Sequence, residues 1–187
     1  MTRGRRWLAA AFLAATLGGC VASAPPGATA VTATSQGSAR FVGLVGQRAQ
    51  HAPPFLDIPE TNYFCLRSFV DRRTGDTVHQ LYVADSYAGA KKDWNAAHDP
   101  AGNTLKFVPI SRNEITCSGG CSYAEEFAAD LSEAELRASP DGLRVTFTAR
   151  SGAEKTVTVS GGQIAAQLAA VDAERREPST AAVAAPP

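Results

Sequence analysis

Between residues 40 and 160, hydrophobic and polar positions repeatedly alternate with a period of two, the signature of strands buried on one face. The clearest case is 143–150, where Leu143, Val145, Phe147 and Ala149 interleave with Arg144, Thr146, Thr148 and Arg150. Ser151-Gly152 turns the chain, and 154–159 returns as a partner strand. The stretch 62–71, NYFCLRSFVD, is rich in aromatic and β-branched residues, which suit a pleated surface. After the turn Arg72-Arg73-Thr74-Gly75, the segment 76–84 comes back with Val78, Gln80 and Tyr82 on one face and His79, Leu81 and Val83 on the other. That pattern predicts a hairpin. Further strands are predicted at 41–45, 104–110 and 113–117, and the Pro-rich stretch 51–60 is read as irregular.

Elsewhere the period changes. Residues 87–100 read as a loop with one helical turn around Lys91 to Ala97. Tyr123, Phe127 and Leu131 fit helical spacing, with a capping-box pattern at Ser122 and Glu125. Tyr123, Glu125, Phe127, Ala129 and Leu131 fit one strand face equally well. The tight Ser118-Gly119-Gly120 connection before them favours the strand. Ser132 with Glu135 makes a better capping box, opening a short helix, and Ile164, Leu168 and Val171 form an apolar helical stripe. The expected fold class is therefore α+β: mainly antiparallel β, with about seven or eight strands in hairpins, a short helix near 132–138 and a C-terminal helix near 163–174.

The chain ends are built differently. Arg3, Arg5 and Arg6 precede an apolar run from Trp7 to Leu17, the layout of a secretory signal too short to span a bilayer. The run closes in Leu17-Gly18-Gly19-Cys20. This resembles the lipobox of bacterial lipoproteins. The resemblance implies cleavage between Gly19 and Cys20 and lipidation of the Cys20 thiol, which makes the bilayer a partner. No Asp follows Cys20, so the family pattern implies an outer-membrane anchor facing the periplasm. Residues 21–39 carry no charge and little apolar bulk, and are expected to form a flexible tether. Residues 40–176 are expected to form one domain, and 177–187, EPSTAAVAAPP, a disordered tail.

Charge narrows the function. Basic and acidic residues balance at 18 each over the 187 residues. Removal of 1–19 takes three Arg and no acid, leaving a net charge of −3. Such a surface gives no electrostatic reason to hold nucleic acid.

The remaining cysteines are Cys65, Cys117 and Cys121. Opposed residues of an antiparallel pair lie about 4.5–5.5 Å apart at Cα, so Cys117 and Cys121 flanking a three-residue loop are the favoured disulfide. The rival pairing is Cys65 with either one. In the favoured case Cys65 is a buried thiol. Cys117-x3-Cys121 lacks both the spacing and the neighbouring His of a zinc site, and no cofactor is expected.

Tyr87 and Trp94, near Lys91, Lys92 and Asp93, either line a recess suited to a ligand or pin the loop to the sheet. Glu125 on an apolar face needs a partner such as Arg112, or else its protonation shifts. These three residues are the candidate ligand-binding set, and no catalytic set emerges.

The hairpin cysteines followed by Ser122-Tyr123-x-Glu125, with the terminal hairpin and helix, resemble a group of small proteobacterial lipoproteins of uncharacterised function. That resemblance spans about 62–171 and implies a style of fold without an activity. The leading expectation is a non-enzymatic binding module that engages another envelope protein or a cell-wall component. The alternatives are an envelope hydrolase using Glu125 with His79 or His98, and redox or metal handling through Cys117 and Cys121.

Overall fold

The computed structural model describes residues 30–35 and 40–176. Strands come first in chain order: β1 (Thr32–Ser35), β2 (Phe41–Val45), β3 (Ala49–Gln50), β4 (Tyr63–Asp71), β5 (Thr77–Ala88), β6 (Trp94–His98), β7 (Thr104–Leu105), β8 (Phe107–Thr116) and β9 (Ser122–Leu131). Helix α1 (Glu133–Arg137), the hairpin β10 (Gly142–Ala149) and β11 (Glu154–Ser160), and helix α2 (Gly161–Arg176) complete the domain. The α+β expectation holds, with eleven strands among the described residues rather than seven or eight.

All the pairings are antiparallel and fall into two sheets. The larger runs β1-β2-β4-β5-β9-β8, with β3 on the same edge of β4 as β2, and the smaller runs β11-β10-β6-β7. Leu66, Leu81, Val83, Phe127 and Ala129 of the larger sheet meet Trp94, Ala97, Val145, Phe147 and Val157 of the smaller in one buried cluster. Phe127 lies at its centre, 4.9 Å from Phe147 and 5.4 Å from Trp94 between ring centroids. Helix α2 adds Ile164 and Leu168 to that cluster, and Val171 to a second one with Val42, Leu44 and Val70. The predicted stripe of α2 is thus its buried face.

Local signals place several boundaries. The Ser132 hydroxyl accepts from the Glu135 N–H and caps α1, as the capping box predicts. Gly161 opens α2 where a Cβ would come 1.9 Å from the Pro140 carbonyl oxygen, so no larger residue fits. Gly119 and Gly120 take φ of +83° and +139° in the β8–β9 connection, a region where L-side chains are strained.

Three expectations need correction. Lys91 to Ala97 contains no helical turn: Trp94–His98 is strand β6, paired with β10 (Ala97 opposite Phe147). Lys, Asp, Asn and Ala have weak strand propensity, but burial of Trp94 and Ala97 between the sheets overrides it. The two strands expected at 104–110 and 113–117 are instead short β7 and one long β8, whose register on β9 shifts at Pro109/Ser111 and Glu114/Thr116. Pro109 is tolerated because β8 is an edge strand. Finally, the larger sheet begins inside the segment read as tether, since Thr32–Ser35 pairs with Val42–Val45. Backbone pairing needs no apolar bulk, so composition did not reveal it. Gly19, Cys20 and the 177–187 tail lie outside the described residues.

Candidate functional site

Two carboxylates face each other inside the domain. Asp85 on β5 is directly opposite Glu125 on β9, and both are almost fully buried at 3% and 2% exposure. Opposed like charges on neighbouring strands repel, and a buried charge is tolerated only when paired and hydrogen-bonded. The surroundings supply both.

Every oxygen of the pair is occupied. Asp85 Oδ1 lies 3.0 Å from Lys155 Nζ, and Oδ2 takes Lys92 Nζ at 3.1 Å and the Trp94 indole N–H at 2.9 Å. Burial alone would push the Asp85 carboxyl up, but Lys155 and Lys92 together outweigh it and hold it below the ordinary range. Glu125 Oε1 accepts from the Tyr87 hydroxyl and, at 3.0 Å, from the Asp93 N–H. Its Oε2 accepts from the Trp94 N–H at 3.2 Å and faces Arg112 Nε at 3.4 Å. Burial, then the Glu125 carboxylate, pushes the Tyr87 hydroxyl well up, so it stays a donor. Arg112 also reaches the Trp94 carbonyl and Asp93, which Arg150 approaches at 3.4 Å. Lys155 Nζ is 3.0 Å from His51 Nδ1, and burial foremost holds His51 below its usual pKa.

The local cause of this arrangement is the crossing from one sheet to the other. Residues 89–93 carry the chain from β5 to β6, leaving the N–H groups of Lys92, Asp93 and Trp94 at a bend. The Tyr87 hydroxyl takes the Lys92 N–H, and Glu125 takes the next two. Tyr87 and Trp94 therefore pin this loop, the second of the two roles their sequence suggested, and Arg112 is the partner expected for Glu125. A small polar cavity of about 270 Å³ opens beside the network, lined by Lys91, Arg112, Asn113, Glu114, Tyr123 and Glu125. Glu125 and Tyr123 thus border a recess, while Tyr87 and Trp94 lie behind it.

Neither His79 nor His98 joins this cluster. His79 faces Leu131, six residues along β9 from Glu125, roughly 20 Å away at strand rise. His98 is four residues beyond Trp94 on β6, roughly 13 Å along the strand.

His79 belongs to a constellation that sequence reading missed. Its Nδ1 is 2.9 Å from Ser68 Oγ, and its Nε2 is 3.5 Å from Glu133 Oε2. Serine, histidine and glutamate meet in triad order, but Ser68 is completely buried and its Oγ also accepts the Gln167 amide. A nucleophile needs a path for substrate, and here α2 covers it. Gln167 also donates to the Leu44 carbonyl at 3.0 Å, so the group fastens α2 to the sheet. Hydrogen bonds from Arg175 first, with help from Arg137, bring the Glu133 carboxyl down to about 2. The signal available in the sequence was Gln167, a polar residue beside an otherwise apolar stripe.

Cys117 and Cys121 form a disulfide across the β8–β9 connection, and Cys65 is buried and free. Among the described residues no group of three His, Cys, Asp or Glu side chains is placed to hold a metal ion, and no helix is long and apolar enough to cross a membrane. Comparison of the chain with protein-family profiles, curated proteins and solved structures found no match.

Proposed function

We propose that this chain is an exported protein, moored by a lipid on Cys20 to the outer membrane and facing the periplasm, whose domain binds another envelope component without catalysing a reaction. The observation that carries the reading is the order of basic start, short apolar run and Leu17-Gly18-Gly19-Cys20. The Cys117–Cys121 bridge lends independent support, because disulfides persist in oxidising compartments. The polar cluster supports the non-enzymatic part. A carboxylate whose oxygens are all engaged in holding a loop has no lone pair ready to take a proton from substrate. The hydrolase alternative lacks such support, since Glu125 meets neither histidine.

Labelled palmitate fed to cells expressing the full chain tests the anchor. Wild-type protein is expected to take up label and sediment with membranes, while a Cys20→Ala variant takes up none and is released on lysis. Equal labelling, or none in either form, overturns it. Crosslinking in intact cells tests the binding role, with reproducible capture of one envelope protein or cell-wall fragment as the expected result.

A further inference from the structure

We propose that the open face of the larger sheet carries a binding site for a small monocarboxylate, centred on the Arg67 guanidinium. This rests on reading the domain as a binding module and is independent of the anchor.

Along β4 the core residues Phe64 and Leu66 alternate with Tyr63, Cys65 and Arg67, which therefore point away from the smaller sheet. There a cavity of about 250 Å³ is bounded by Arg48, Tyr63, Cys65, Arg67, Tyr82 and Glu126, together with two aliphatic side chains. The guanidinium of Arg67 lies 4.8 Å from the Tyr82 ring centroid and 5.4 Å from that of Phe69. Its Nε donates to Gln80 Oε1 at 2.8 Å, and the Gln80 amide donates to Asp130 at 2.7 Å. The head group is thus held in a fixed orientation by rings and one hydrogen bond.

Its remaining N–H groups have no partner among the described residues. Other arginines, although more exposed, do have carboxylates: Arg40 has Asp71, Arg112 has Asp93 and Glu125, and Arg175 has Glu133. Glu126 and Asp130 act on Arg67 only through space, against a burial that lowers its pKa. Asp130 is engaged by Gln80 and by Lys106 at 2.8 Å. A half-buried cation without an ion pair is costly on its own. A guanidinium with its outer N–H groups open matches a carboxylate in two-point geometry.

The rest of the cavity shapes the choice. Arg48 stacks 4.5 Å over Tyr63, whose ring is 5.8 Å from that of Tyr82. Its ion pair with Glu60, at 3.1 Å, is exposed on both sides and therefore weak, so Arg48 can give a second contact. The rings, the Cys65 thiol and the aliphatic wall suit an apolar body about one ring in size. Glu126 on the wall disfavours a doubly charged phosphate, a repulsive element that selects the singly charged acid.

The test uses the full-length chain, ¹⁵N-labelled in nonionic detergent, titrated with benzoate, benzamide and inorganic phosphate. Benzoate is expected to shift the amide signals of 63–69 and 80–82 and to saturate. Benzamide should leave them in place, and phosphate should bind more weakly. Arg67→Gln and Arg48→Gln should each weaken benzoate by about tenfold or more. Arg67→Lys should retain part of the affinity, and remains readable should Arg67→Gln fail to fold. Non-saturating shifts, equal response to benzamide or phosphate, or unchanged affinity in folded Arg67→Gln overturn the site. Loss of the site with crosslinking to an envelope component intact removes this groove and leaves the binding-module reading standing. Absence of any crosslinked component while benzoate saturates has the opposite meaning.

Discussion

Replacing Glu125 by alanine separates a structural role of the buried carboxylate from any catalytic one. The substitution strips acceptors from the Tyr87 hydroxyl and from the Asp93 and Trp94 N–H groups, and removes a carboxylate from Arg112. Each buried donor left without an acceptor costs about 1–3 kcal/mol. Breaking a buried ion pair from one side costs about 3–5 kcal/mol in total. Arg112 keeps Asp93 and the Trp94 carbonyl, so most of the ion-pair loss is avoided and the cost falls at the lower end of that for the three orphaned donors, about 3–5 kcal/mol. At about 3 °C of melting temperature per kcal/mol for a domain of this size, the midpoint should fall by roughly 9–15 °C. Glu125→Gln keeps a carbonyl acceptor and the shape, so it should lose only about 1–2 kcal/mol. Urea unfolding followed by Trp fluorescence reads both. A loss below about 1 kcal/mol for the alanine variant, or an equal loss for glutamine, would refute the role of Glu125 as the acceptor that fixes the crossing between sheets.

The other predictions concern the disulfide, acid stability and one glycine. Replacing Cys117 and Cys121 by serine should cost no more than about 2 kcal/mol, because the closed loop is short, and should leave the urea m-value unchanged. A larger loss would mean that the bridge holds more than a hairpin tip. Burial holds His79 below its ordinary pKa of 6.5 despite Glu133, so below pH 6.5 the unfolded chain binds a proton that the folded one refuses, and stability falls on acidification. Glu133 acts in the same direction, since its contribution is complete above its ordinary 4.5 and is lost as pH falls from there to about 2. Unfolding followed from pH 7 to 3 should show the decline beginning near 6.5, and His79→Gln should remove part of its upper section, the remainder belonging to His51, which burial also holds below 6.5. A flat profile between pH 6.5 and 5 would contradict the neutral buried imidazole. Gly161→Ala should cost more than about 2 kcal/mol, because its Cβ would collide with the Pro140 carbonyl. A near-neutral melting temperature would show that the α2 entry can shift.

Much of the strand framework was legible because the alternation of apolar and polar residues reports a two-sided environment directly. The 143–150 stretch became β10 and 62–71 became β4 within a residue of their expected bounds. The capping hydroxyl of Ser132 and the stripe of α2 also follow from local chemistry. Strand β6 was hidden because its short, mixed sequence carries no alternation, and its extended form depends on pairing with β10. The need of Glu125 for a cation was readable from its place on an apolar face. Its opposition to Asp85 was not, because register between strands decides which carboxylates meet.

Periodicity, turn residues and caps are properties of neighbours in the chain, and they were enough to specify strands, two helices and the hairpin carrying Cys117 and Cys121. Contacts between residues far apart depend on how sheets stack and which strands lie side by side. Packing therefore buried Ser68 and His79 together with Gln167 of α2, closed Lys92 and Lys155 around Asp85, and left Arg67 against two rings with no ion pair among the described residues. A charge becomes costly only when its surroundings exclude water, and those surroundings come into being only with the folded chain.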